Sequence, residues 1–210
     1  MEQPITADDI SRDLIHFIAK SPSTFHAVRG IKAALLYAGF TEIREEDPWQ
    51  IEKGGKYVVT RNGSALMAFT VPEEGAEAFH ITASHCDSPT FKIKENPEIA
   101  DGPYVKLNVE GYGGMIMSTW LDRPLSVAGR LLVTENGHLA EKIVAIDGTM
   151  LVIPSVAIHM DRSVNQHKEW KVQKDMLPLY GMTGAKTPFM DVIAAAAKVK
   201  AEDILAHDLT

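Results

Sequence analysis

Ala78-Phe79-His80-Ile81-Thr82-Ala83-Ser84 runs directly into His85-Cys86-Asp87-Ser88-Pro89, and this stretch decides the fold. The first seven residues predict a strand, and the turn-rich segment after it predicts where that strand stops. A histidine at the end of a buried strand faces the cleft at a sheet's edge, where chemistry commonly sits. Working upstream, Tyr57–Arg61 and Ser64–Val71 flank Asn62-Gly63, which predicts a hairpin because both central residues accept positive φ. Before them, Thr6 with Asp8 and Asp9 predicts the start of a helix with an apolar face of Ile10, Leu14, Phe17 and Ile18. Ser21-Pro22-Ser23 ends that helix and caps a second, which carries Phe25, Val28, Ile31, Leu35 and Ala38 as far as Gly39. Both read as packing helices. Helices followed by strands point to an α/β layer.

Downstream of about Phe91 the texture changes. Short β-rich runs (Val105–Val109, Met115–Thr119, Ser126–Val133, Lys142–Ile146 and Met150–Ile153) alternate with Gly- and Pro-containing turns, the pattern of a small antiparallel barrel or sandwich. Tyr180–Pro188 reads as a loop and Phe189–Lys200 as a helix. The expected division is residues 1–93 as an α/β part and 94–210 as a β-rich part with a returning helix.

Composition narrows the function classes. The chain has 210 residues, 21 Lys+Arg against 28 Asp+Glu and a formal charge of -7, which argues against a nucleic-acid partner. No run of about 18 apolar residues is present, so no membrane span is expected. With a single cysteine, Cys86, no internal disulfide can form, which fits a reducing cytoplasm. The N-terminus lacks the basic and apolar regions of a signal peptide.

Three segments carry chemistry. In Ser84–Pro89, Asp87 stands two residues after His85 and can reach back to fix its tautomer, as a carboxylate does behind a metal-bound histidine. The plainer reading is a histidine bonded to a turn aspartate. Adjacent strand residues point to opposite faces, so Cys86 reads as a small packed hydrophobe, not the partner of His85 in a nucleophilic pair. In Gly113–Leu125, Asp122 beside Arg123 suggests a metal-bridging carboxylate or a charged pair fixing a turn, and the turn is favoured. In Ile153–Asn165, His159 lies in an apolar, strand-like run with Asp161 on the same face, the pattern of a hydrogen-bonded structural histidine. His80, His138, His167 and His207 show no ligand spacing.

Taken in order, Ser84-His85-Cys86-Asp87-Ser88-Pro89, Ser118–Arg130 and Ile153-Pro154 through Ile158-His159 resemble the aspartyl aminopeptidase family. Members are cocatalytic zinc exopeptidases that assemble as tetrahedral dodecamers. Ser21–Ala27 and Glu202–Leu205 also look like family signatures, so the resemblance spans the chain. It implies that His85 is a zinc ligand and that Asp87 supports it in catalysis. It implies that residues from about 94 onward form an inserted β-rich dimerisation domain, which removes Asp122 from the metal. His159 is implied to reach from a neighbouring subunit to the substrate. The implied chemistry is hydrolysis of peptide substrates at acidic, or in some members neutral, N-terminal residues by two zinc ions. The family's other ligands are expected downstream of Leu209, so these 210 residues alone are not expected to assemble the dinuclear site. The alternative is an assembly module that keeps the dimer surface without catalysis. A Cys86 hydrolase is the third and weakest reading.

Overall fold

The structure is a computed structural model that describes residues 5–75, 77–184 and 187–210. It divides into two compact units, Met1–Ser88 and Pro89–Thr210.

The first unit opens on helix α1, Ala7–Lys20. Thr6 caps it as expected: its hydroxyl accepts from the Asp9 N–H (3.2 Å) and the Asp9 carboxylate accepts from the Thr6 N–H (2.9 Å). The apolar stripe forms but buries no residue, and Ile10 and Ile18 are about 60% exposed (61% and 62%). Helix α2, Thr24–Tyr37, packs more deeply through Phe25, Ala27 and Val28. Ser23 occupies its cap position, but its hydroxyl bonds to His26 Nδ1 at 2.8 Å instead of the helix backbone. Gly39, at φ 85°, ends α2 as expected, its N–H donating to Leu36 and that of Phe40 to Leu35.

Strand β1, Thr41–Glu42, runs parallel to β2, Lys56–Arg61, which pairs antiparallel with β3, Ala65–Thr70. The hairpin forms where Asn62-Gly63 predicts it, with φ of 51° and 61°. Tyr57, Val58 and Val59 are buried, and the rings of Tyr57 and Phe69 lie 5.4 Å apart. The predicted strand Ala78–Ser84 does not form. Residues 79–89 belong to no helix or strand, and Phe79 and Ile81 are 88% and 85% exposed. A β-prone run becomes a strand only when a neighbour takes its backbone hydrogen bonds, and no described strand pairs with this one.

The second unit holds two three-stranded sheets, β4-β5-β8 and β7-β6-β9. Their strands are β4 Thr90–Asp101, β5 Tyr104–Tyr112, β6 Ala128–Glu135, β7 His138–Ala145, β8 Leu179–Met182 and β9 Ile204–Leu209. The β-rich texture is present, but both sheets are open among the described residues, and the expected barrel closure is not seen. Met115–Thr119, expected as a strand, instead enters a 3-10 turn at Met117–Trp120, where Trp120 packs edge-on against Phe91 at 5.1 Å. Met150–Ile153 contributes only single bridges, to Leu121, Leu125 and Leu179. The loop expected over Tyr180–Pro188 begins as β8, and its Ala185 and Lys186 lie outside the described residues. The short helix α3 spans Val172–Asp175. Helix α4, Phe189–Ala197, stops short of Lys200 because Lys198 turns left-handed, at φ 58°. Leu107, Leu131, Ile153, Phe189, Ile193 and Leu209 form the centre of one apolar core.

Strand β9 joins that core through charge as well as apolar contact. Arg130, buried in β6, donates to Glu141 and Asp208 at 3.0 Å each, and Lys92 of β4 meets Asp208 at 2.6 Å. Burial pushes the Asp208 carboxyl up, but the bonds from Lys92 and Arg130 overcome it and hold the group below the carboxylate range.

His207 is the opposite case. Its side chain is 3% exposed, neither ring nitrogen has a hydrogen-bond partner among the described residues, and Glu95 stands 3.9 Å away. Burial lowers its pKa, with Lys92 adding to the effect and Glu95 and Asp208 opposing it. The unfolded chain therefore takes up a proton at His207 more readily than the folded one. Stability from this site is complete above the ordinary histidine pKa of about 6.5 and falls as pH drops below it. Denaturation midpoints taken from about pH 7 to about pH 5 should decline, and His207→Leu should flatten that decline.

Candidate functional site

His85 and Asp87 stand at the end of the first unit, in the segment that pairs with no described strand. The local geometry nonetheless builds the expected pair. His85 Nδ1 donates to the Asp87 main-chain carbonyl at 2.7 Å, and the Asp87 carboxylate Oδ1 lies 3.2 Å from the same nitrogen. A proton on Nδ1 leaves the electron pair on Nε2, the nitrogen a metal would take. The His85 side chain is 79% exposed, so the ring is accessible. Cys86 is half-buried and a free thiol. The expectation that it points away from His85 rested on a strand, and the strand is not there.

His159 belongs to the second unit, and the strand-like reading of its segment is corrected. Residues 154–160 are all exposed, and His159 sits in a turn closed by the Met160 N–H donating to Ala157 at 2.8 Å. Asp161 does not pair with His159. It accepts from Lys168 Nζ at 2.6 Å and from the Ser163 hydroxyl at 2.9 Å, and those bonds hold its pKa down. Pro154 and the exposed run Ser155–Met160 leave the sheet pattern, and no strand among the described residues receives them.

Asp122 lies in the second unit and takes part in a turn. It lies at φ 54°, and its Oδ1 accepts from the Ser155 N–H at 2.9 Å. Sequence reasoning found the turn but not this partner, because the two residues are 33 apart and no local pattern joins them. The burial of His207 has no local signal for the same reason, since it depends on β9 pairing with β6.

The zinc question can be put to the donor set. His85, with its Nδ1 proton placed on Asp87 and its side chain exposed, fits one ligand position. Among the described residues, no group of three or more His, Cys, Asp or Glu side chains converges to hold an ion. A two-metal centre needs more ligands than this.

Residues 17–210 match the family described as aminopeptidase I zinc metalloprotease (M18). The chain belongs to the M18 family. A probable M18 family aminopeptidase 2 from Clostridium acetobutylicum is 45% identical over 210 residues, covering 96% of this chain and 48% of that protein. Aspartyl aminopeptidase 4 of Saccharomyces cerevisiae is 37% identical over 193 residues, covering 89% and 39%. Among solved structures, the cryo-EM structure of the Ape4 and Nbr1 complex superposes with a TM-score of 0.89 at 31% identity, over 95% of this chain and 43% of that one. The chain spans about half the length of the curated relatives it matches. Zinc is the metal in the family's description. No helix among the described residues is long and apolar enough to cross a membrane.

Proposed function

We propose that this chain takes part in a zinc-dependent aminopeptidase, with His85 as a metal ligand through Nε2. The observation that carries the reading is the His85–Asp87 pair, in which an exposed imidazole has its Nδ1 proton committed and its Nε2 left for coordination. When bound, zinc supplies a Lewis acid and a water of lowered pKa, and the reading includes two ions per site. The chain's own contribution is positioning. Asp87 holds the imidazole in one tautomer and one orientation, and His159 is carried on an exposed turn into the site of a neighbouring subunit. Peptides are the substrates. The preference for acidic N-terminal residues follows the family resemblance and the name of the yeast relative. Self-association through the β-rich unit, which the resemblance assigns to residues from about 94 onward, supplies the neighbouring subunit.

Zinc content, together with hydrolysis of Asp-, Glu- and Leu-nitroanilides by the native full-length protein, tests this reading. Turnover that survives chelation, or a protein that purifies with no affinity for zinc, would sink it. A finer test concerns Asp87. Loss of a carboxylate behind a metal-bound histidine typically lowers affinity by roughly 10–100-fold. Here the main-chain carbonyl of Asp87 already receives the Nδ1 proton at 2.7 Å, so part of the orientation survives a side-chain change. Asp87→Asn should therefore fall near the small end, about tenfold in zinc affinity by chelator competition.

A further inference from the structure

We propose that Asp122 is a positioning residue that holds the turn presenting His159. This rests on the reading of His159 given above and extends it to a side chain that touches neither metal nor substrate.

The tie between the two segments is reciprocal. The Asp122 N–H donates to the Ile153 carbonyl at 2.9 Å, and the Asp122 carboxylate accepts from the Ser155 N–H at 2.9 Å. Bridges from Leu121 to Ile153 and from Leu125 to Leu151 fix the same pair of segments on either side. To reach Ser155, Asp122 adopts φ 54°, a left-handed conformation that few residues other than glycine take and that Asp and Asn tolerate best. Hydrogen bonding to Ser155 also keeps its carboxyl below the usual aspartate range.

His159 follows only four residues after Ser155. Every residue from Pro154 to Met160 is exposed, with Val156, Ile158 and Met160 53%, 46% and 81% accessible, so burial does not fix the turn. Its direction is set at its ends. On the exit side, Asp161 is tied to Lys168, whose ammonium also lies 4.4 Å from the centre of the Trp170 ring and 3.9 Å from Asp175. On the entry side, the anchor is Asp122. Each residue between the anchors has two soft torsions, so an unanchored entry spreads the imidazole over many orientations.

Two substitutions separate backbone conformation from hydrogen bonding. Asp122→Gly takes the left-handed conformation without strain and cannot accept from Ser155. Asp122→Asn takes that conformation and keeps an acceptor oxygen. In the native full-length protein, amide exchange at Ser155 should rise at least tenfold in Asp122→Gly, with Leu131 in β6 unchanged. The value of kcat should fall towards that of His159→Ala, with KM moving less, and Asp122→Asn should restore both readouts. The double variant Asp122→Gly, His159→Ala should be no slower than His159→Ala alone.

Unchanged exchange at Ser155 in Asp122→Gly would overturn the proposal, as would a double variant in which the two losses multiply. If His159→Ala leaves kcat at wild type, the role of His159 fails and the catalytic part of this proposal fails with it. In that case the exchange measurement still shows whether Asp122 holds the turn.

Discussion

His85→Ala should lower zinc-dependent turnover by roughly 10³-fold or more while leaving the fold intact. The size follows from what a metal contributes. Polarising a carbonyl and activating a water is worth several kcal/mol of transition-state stabilisation, and each 1.4 kcal/mol is tenfold in rate. The intact fold follows from the ring's surroundings. Its side chain is 79% exposed and its hydrogen bond runs to a residue two positions away, so no packed core depends on it. Zinc content, turnover and thermal midpoint measured on one preparation decide the matter. Loss of zinc and turnover with an unchanged midpoint is the expected result. Full turnover in His85→Ala would remove the ligand assignment. A collapsed midpoint would show that the residue supports structure, and His85→Asn would then be needed to separate the two effects.

Much of the fold was legible in local sequence, because local physics decided it. Thr6 with Asp9, Asn62-Gly63 and Gly39 each act over a few residues, and each forms as the sequence predicts. The failures share a cause. Ala78–Ser84 has strand composition but no described strand beside it, and Met115–Thr119 turns because Trp120 finds Phe91. Strand β4 is not legible in the sequence because Lys92, Lys94, Glu95 and Pro97 break up its apolar signal, although Phe91 and Ile93 are buried.

The candidate site divides in the same way. The pair His85–Asp87 is two residues apart and could be read directly, and the structure brings it together. Spacing places Asp161 on the same face as His159 in a strand-like run, but the run is an exposed turn and the Asp161 carboxylate goes to Lys168. The Lys168 ammonium, 2.6 Å from the Asp161 carboxylate, is the partner that the carboxylate takes. The contact between Asp122 and Ser155 depends on bringing together residues 33 apart, which composition and periodicity do not encode.

Mixing two impaired variants should restore activity if His159 serves a neighbouring subunit. A His85→Ala subunit keeps His159, and a His159→Ala subunit keeps His85. Across a two-fold interface, where each partner offers the other the same surface, a mixed pair has one site with both histidines and one with neither. Random pairing at equal amounts makes half the pairs mixed, so activity should return to roughly a quarter of wild type. The variants must be unfolded and refolded together, or coexpressed, so that subunits exchange before assay. Separately prepared variants combined without exchange provide the baseline. Recovery near a quarter would place His159 in the partner's site, and recovery that rises and falls with subunit ratio as a product of the two fractions would confirm the pairing. Activity no greater than the sum of the two variants would mean that His85 and His159 serve one site within one chain, or that His159 serves none. His159→Ala alone separates those two cases: a lowered kcat with unchanged zinc content keeps a role at the substrate, and an unchanged kcat removes it.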